Sequence, residues 1–268
     1  MAAQNKPSWI VMKFGGVSVA EPERWTTIAR LAQQKLEAGH RVLIVHSALS
    51  GVSNALEALP DAALAGQGET AAAAIADRHR SFAAEAGLDA DAHLSDLFDH
   101  LDRLTAGVAL VGEASARVRA DILSLGELMA SRLGLACLQG AGLEPEALDA
   151  REALSAAHDG AQARDYLANA CEDGPDAGLQ ERLKDARLAL TQGFIARNAR
   201  GETVLLGRGG SDTSAAYFAA KLDAHELEIW TDVPGLFSAD PRLTEGARHL
   251  RALSYEEAQE IATMGGKV

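Results

Sequence analysis

Two short apolar runs bracket a helix within the first fifty residues, and this limits the fold more than any other feature of the chain. Trp9-Ile-Val-Met-Lys-Phe14 is apolar but for its lysine, and Arg41-Val-Leu-Ile-Val-His46 is apolar at its four inner positions. Runs without polar alternation read as strands buried on both faces. Gly15-Gly16 ends the first run in a turn. Pro22-Glu23 opens a helix that runs to about Glu37, and Gly39 stops it. Neighbouring strands joined by a crossover helix are parallel. The chain is therefore built on a parallel sheet that needs helices on both sides.

The remaining sequence continues the alternation. Residues 55–103 are alanine-rich and acidic without a strand-like run, so they read as helices. Residues 113–134 read as a long helix followed by a short strand at 135–138. Residues 151–185 read as mostly helical and polar. Strands are expected at 187–192, 203–206 and 227–230, with a helix over 211–222. Ser254-Tyr-Glu-Glu257 has the serine and the glutamate of a capping box and starts a final helix. The expected fold is a three-layer α/β/α sandwich with a mainly parallel central sheet. No internal repeat, low-complexity tract or linker interrupts it.

Charge narrows the function. The chain carries 38 Asp and Glu against 25 Lys and Arg, a formal net charge of −13. Nucleic acid and anionic lipid are poor partners for such a surface. The whole acidic excess lies in residues 55–103 and 140–190, and the rest of the chain is balanced. Small anionic ligands are thus not excluded from the glycine-rich turns. Two cysteines, Cys137 and Cys171, make neither a disulfide framework nor a metal cluster. Without an N-terminal apolar core or a run of about 18 apolar residues, a cytoplasmic protein is expected.

Several segments carry polar residues where open α/β sheets bind ligands, at the carboxyl ends of strands. Gly207-Arg-Gly-Gly-Ser-Asp-Thr213 lies between a strand and a helix. Its glycines permit close approach of backbone N–H groups to an anion, and Arg208 offers a guanidinium fork. Asp212 could orient a lysine or a cation. The alternative is a tight turn in which Ser211 or Asp212 merely caps the helix. Lys13-Phe-Gly-Gly16 puts a lysine inside an apolar strand, which requires a partner unless the strand is an edge and the lysine snorkels. Ser47-Ala-Leu-Ser-Gly-Val-Ser53 presents hydroxyls after the second strand, although an ordinary Ser/Gly turn has the same composition. Glu127 could meet an ammonium group, but an exposed helix glutamate is the commoner reading. Thr231-Asp232 opens a long irregular stretch to Arg242, of the kind that binds ligands, with Asp240-Pro241 as a plain turn initiator. Gly265-Gly-Lys267 would otherwise read as a tail.

A P-loop is absent, since Ile261 holds the place of its first glycine and Val268 follows Lys267. Gly140-Ala-Gly142 lacks the third glycine of a dinucleotide fingerprint, and no protein-kinase motif set occurs.

Taken together, these segments resemble the catalytic domain of the aspartokinases, within the amino acid kinase family, over nearly the whole chain. Lys13-Phe-Gly-Gly-Val-Ser18 is similar to the family's opening K-F-G-G-T-S, and Gly207-Arg-Gly-Gly-Ser-Asp212 to its G-R-G-G-S-D. Ile229-Trp-Thr-Asp-Val-Pro-Gly235 is similar to its nucleotide-side loop, and Leu253-Ser-Tyr-Glu-Glu-Ala258 to the segment before its final G-A-K-V. The resemblance implies the amino acid kinase fold, with an aspartate-side lobe over 1–200 and an ATP-side lobe over 201–268. It implies transfer of the ATP γ-phosphate to the β-carboxylate of L-aspartate, the first step of the lysine, threonine and methionine branch of amino-acid biosynthesis. Lys13 and Asp212 would be catalytic. Gly15, Gly16, Ser47, Ser53, Glu127, Arg208, Gly209, Gly210 and Ser211 would hold the substrate. Thr231, Asp232, Phe237, Arg242 and Lys267 would contact ATP. Mg²⁺ is expected on the ATP phosphates rather than on protein ligands, and a homo-oligomer is left open.

Val17, Ser53, Phe237 and Gly266 depart from the usual Thr, Thr, Tyr and Ala. Relatives continue into regulatory ACT domains, so this chain is expected to be an excised catalytic domain without a feedback site of its own. Fused aspartokinase–diaminopimelate decarboxylases open similarly and are one parent to consider. Glutamate 5-kinase, acetylglutamate kinase and nucleoside monophosphate kinase chemistry, or a weakly active nucleotide- or aspartate-binding fragment, are the alternatives.

Overall fold

The computed structural model describes residues 7–159, 162–233, 235–240 and 243–263. The chain divides into two compact units, Met1–Trp230 and Thr231–Val268.

The first unit is built on a five-stranded sheet. Its strands are β1 (Trp9–Phe14), β2 (Arg41–His46), β3 (Glu146–Leu148), β4 (Leu188–Gln192) and β7 (Glu226–Trp230), in the order β3-β4-β2-β1-β7. Every pairing is parallel. A second, two-stranded antiparallel sheet pairs β5 (Ile195–Arg197) with β6 (Thr203–Leu205).

Strand alternation assigns each apolar residue to a layer. Ile10, Met12, Phe14, Val42 and Ile44 pack with α1 (Pro22–Glu37), α2 (Val52–Leu64), α3 (Gly68–Glu85), α4 (Ala90–Val111) and α5 (Ala116–Gly140). Trp9, Val11, Leu43 and Val45 pack on the other side. There they meet α6 (Ala150–Ala153), α8 (Ala177–Arg182), the small sheet and α9 (Gly210–Lys221). The three-layer expectation thus holds, with β1 and β2 buried on both faces as their composition demanded. Among the described residues no helix is long and apolar enough to cross a membrane.

Local signals account for most helix ends. Pro22 stands in the first turn of α1, and Gly39 follows its end at φ +89°. Asp89 caps α4 through the N–H groups of Asp91 and Ala92, and Ser115 caps α5 through Val118. In the second unit Ser254 Oγ accepts from Glu257 N–H at 3.2 Å, and Glu257 Oε2 accepts from Ser254 N–H at 2.8 Å. That reciprocal box opens α10 (Tyr255–Thr263), as its spacing predicted.

Two expectations are overturned. Residues 135–138 are not a strand but the last turns of α5. Gly134, the last residue of the expected helix, is a packing residue: a Cβ there would lie 2.1 Å from the Trp25 ring. Leucine and alanine then simply propagate the helix. Residues 151–185 are not mostly helical. Among the described residues they contain only the end of α6, the short α7 (Ala163–Leu167) and α8, joined by irregular backbone and isolated bridges. Asn169, buried between His158, Asp165 and Ala170, hydrogen-bonds that backbone in place of a helix ladder.

Candidate active site

The carboxyl ends of β1, β2 and β4 and the first turn of α9 come together in the first unit. Backbone bonds seam them: Ser47 N–H donates to Phe14 O at 3.1 Å, Ser50 N–H to Gly16 O at 3.2 Å and Gly193 N–H to His46 O at 2.7 Å. The contacts are too close for side chains. A Cβ on Gly16 would lie 2.9 Å from Ala48 O, and one on Gly193 2.6 Å from Ser211 Cβ.

Lys13 lies on an interior strand, between β2 and β7, so the edge-strand alternative fails. Its side chain points to the α9 side and is almost fully buried. It meets Asp212 Oδ1 at 2.7 Å, and this pairing relieves the cost of a lysine in an apolar strand. Asp212 stays partly exposed, and its Oδ2 has no ion-pair partner among the described residues.

The helix-capping alternative for Ser211 and Asp212 fails as well. The cap of α9 is Gly209 at φ +70°, with no side-chain bond. Gly207, at φ +72°, makes the other left-handed turn. Gly210 has no room for a Cβ, which would meet Phe194 Cδ2 at 2.6 Å. The first N–H groups of α9 are therefore presented at a helix N-terminus lined by glycine. Ser211 Oγ accepts from Ser47 Oγ at 2.9 Å. Arg208 projects into solvent with no hydrogen bond or ion pair among the described residues. Ser53 is half-buried in the first turn of α2, behind Gly51 at φ +84°.

For Glu127 the commoner local alternative fails. The residue is 2% exposed, not a solvated helix glutamate. Gly126 permits the approach of α5, since a Cβ there would press on Ala48 and Leu56 at 3.0 Å. Glu127 Oε1 accepts from Ala48 N–H at 3.2 Å. Oε2 is buried with no hydrogen-bond partner among the described residues. Desolvation pushes its pKa up to about 8, against the smaller opposing effect of the Ala48 bond. A buried carboxylate oxygen without a donor is the complement of an ammonium group.

The sequence reading missed three contributors. Ala48 supplies the N–H that meets Glu127, and Ser214 Oγ accepts from Phe194 N–H at 2.8 Å. Phe194 adopts φ +69°, a conformation rare for a bulky residue, and braces the glycine turn. Nothing in a phenylalanine signals this. Gly193 before it was the available hint.

Thr231, Asp232 and Phe237 belong to the second unit. Thr231 Oγ1 donates to Asp232 Oδ1 at 3.2 Å. Phe237 bridges to His249, with ring centroids 5.6 Å apart in an edge-on arrangement. Arg242 and Lys267 lie outside the described residues, as does the Gly265-Gly266 segment.

A cavity of about 360 Å³ lies beside this constellation rather than in it, lined by Leu128, Ser131, Arg132, Asp149, Arg151 and Gln192 among others. It contains none of the predicted ligands. Burial pushes Cys137 up to about 11 and Cys171 up to about 12, so neither is a nucleophile near neutral pH.

The family model described as "Amino acid kinase family" matches residues 8–268. The lysine-sensitive aspartokinase 3 of Escherichia coli is 33% identical over 97% of this chain and 57% of its own length. The aspartokinase of Chlamydia muridarum is 30% identical over 99% and 57%. The chain thus spans little more than half the length of these relatives. The crystal structure of E. coli aspartokinase III in complex with aspartate and ADP superposes with a TM-score of 0.80 at 31% identity, covering 95% of this chain and 56% of that one.

Proposed function

Because the chain belongs to the amino acid kinase family, we propose that it is an aspartate kinase, transferring the γ-phosphoryl group of ATP to the β-carboxylate of L-aspartate. The observation that carries this reading is the buried, unpaired Oε2 of Glu127 at the strand ends that also carry Lys13 and Ser47. A substrate with an ammonium group would satisfy it, and the free guanidinium of Arg208 would take a carboxylate of the same molecule. The aspartate and ADP bound by the E. coli relative support the same pairing of ligands.

In this reading a β-carboxylate oxygen attacks the γ-phosphorus. The bond to the β,γ-bridging oxygen breaks, and ADP leaves with that electron pair. The products are 4-phospho-L-aspartate and ADP. The carboxylate is already a nucleophile, so positioning and charge stabilisation supply the catalysis. Lys13 stabilises charge on the transferring group, and Asp212 holds its ammonium in place. The N–H groups of Gly209 and Ser211 face the anion, while Gly210 shapes the turn through its N–H bond to Gly207 O at 3.0 Å. Gly15 leaves room beside Lys13, Gly16 lets the turn close on Ala48 O, and Ser47 and Ser53 contribute hydroxyls. Thr231, Asp232, Phe237, Arg242 and Lys267 are assigned to the nucleotide.

Mg²⁺ is assigned to the ATP phosphates. The described residues contain no group of three or more metal-type ligands, so the phosphates would carry the ion, and Oδ2 is the oxygen of the Lys13–Asp212 pair that is left to meet it. When bound, the ion neutralises phosphate charge.

The test is to incubate the chain with ATP, Mg²⁺ and aspartate and trap the acyl phosphate with hydroxylamine. Aspartyl hydroxamate is the expected product. No hydroxamate from aspartate, but product from glutamate, overturns the substrate assignment.

A further inference from the structure

His46 is the last residue of β2, where the strand passes into the Ser47-Ala48 turn. Its side chain is fully buried, and both ring nitrogens are used. Nδ1 lies 2.9 Å from Ser47 O, and Nε2 lies 3.0 Å from Ser131 Oγ. A carbonyl oxygen only accepts, so Nδ1 carries the proton, and Nε2 accepts from the Ser131 hydroxyl. The ring is also held edge-on against Trp25, at 5.6 Å between centroids. Desolvation takes its pKa down to about 4, so this neutral tautomer persists across the physiological range.

The two ends of this bridge have functional neighbours. Ser47 precedes Ala48, whose N–H holds Glu127 Oε1. Ser131 follows Glu127 by one helical turn and shares its face of α5. The turn after β2 is therefore tied to α5 twice: directly through Ala48 and Glu127, and through Ser47, His46 and Ser131. An apolar side chain could fill the same space, since the four inner positions of β2 are all apolar. An imidazole there costs desolvation unless both nitrogens find partners, and each partner lies on a different element.

We infer that His46 and Ser131 are positioning residues, which fix the spacing between the Ser47-Ala48 turn and Glu127 and so set the affinity for the amino-acid substrate. This rests on the proposed role of Glu127 as the ammonium ligand. Neither residue touches substrate. Without the bridge, the Ala48 N–H and the Glu127 carboxylate are no longer held in register, while the Lys13–Asp212 pair keeps its own contact.

The test compares Ser131→Ala, His46→Leu and the double variant by steady-state kinetics, with calorimetric Kd for aspartate in parallel. Each single change is expected to weaken aspartate, in KM and Kd, by about tenfold, the equivalent of one hydrogen bond. KM for ATP and kcat should stay within about twofold, because the lost contact acts equally on ground and transition states. The double variant should be no worse than the worse single, since both break one bridge. Ser131→Thr keeps the hydroxyl, and its methyl has the adjoining cavity of about 360 Å³ to enter, so it should retain the wild-type aspartate Kd. An unchanged aspartate Kd in Ser131→Ala, additive effects, or an equal loss of ATP affinity would overturn the inference. If His46→Leu does not fold, the two Ser131 variants decide the matter. Glu127→Gln separates the two levels. If it leaves aspartate Kd unchanged, the functional reading fails. If it weakens aspartate while Ser131→Ala does not, only the positioning role fails.

Discussion

The ammonium of Lys13 lies 2.7 Å from Oδ1 of Asp212, joining an interior strand to the first turn of α9. Because Lys13 is buried and Asp212 partly exposed, the two play unequal roles. Lys13→Ala removes the only cation β1 supplies to the strand ends. It should lower kcat by ~10²-fold or more, with a smaller change in aspartate KM. Asp212→Asn leaves a buried lysine without its counter-charge and should reduce both kcat and stability, the latter by about 1 kcal/mol. Initial rates and urea midpoints measure the two effects, and a Lys13→Ala enzyme with near wild-type kcat contradicts the assignment.

Glu127 gives the ligand-free protein an unusual pH dependence. Its folded pKa, raised to about 8, exceeds the ordinary carboxylate value, so between about 4.5 and 8 the native state holds a proton that the unfolded chain has released. The stability it contributes is complete below that window and falls by about 1.4 kcal/mol per pH unit across it. Glu127→Gln should abolish this term, so its denaturation midpoint should gain on wild type as pH rises from 5 to 8. Parallel profiles for the two proteins would refute this. Aspartate binding should also release a proton near pH 7, visible as a buffer-dependent calorimetric enthalpy.

Arg208 has no partner among the described residues and is exposed, so it holds nothing together. Arg208→Ala should leave the thermal midpoint unchanged, within about 0.5 kcal/mol. Aspartate KM should rise by ~30-fold or more, because a bidentate guanidinium–carboxylate contact is lost. Arg208→Lys should recover only part of this, since an ammonium cannot reproduce the fork. An unchanged aspartate KM in Arg208→Ala would remove this residue from the site.

Gly134 is a steric requirement of the core. Trp25 is buried, and its Nε1–H is fixed to Val19 O at 3.2 Å, so the ring cannot yield to a Cβ placed 2.1 Å away. Gly134→Ala should therefore destabilise the protein by about 2 kcal/mol or more, despite the better helix propensity of alanine. A thermal midpoint at or above wild type would show that the ring has an alternative place to go.

Local chemistry is legible in the sequence where a residue's environment is set by its neighbours in the chain. The unbroken apolar runs of β1 and β2, the proline and glycine at the ends of α1, and the Ser254–Glu257 box all behave as their spacing requires. So do the glycines around Arg208, because left-handed backbone and close approach favour that residue. These features determine a parallel α/β protein with a glycine-lined helix N-terminus. Tertiary contact decided the rest. Leu135–Leu138 stays helical because Gly134 serves Trp25 rather than ending α5. Phe194 takes a left-handed conformation because Gly210 and Ser214 hold it there. A glutamate that local sequence would leave in water is buried because Gly126 draws α5 onto the turn after β2. Burial, a missing donor and a raised pKa are properties of what surrounds a side chain. For Glu127, those surroundings come from residues 48–56, far away in the chain.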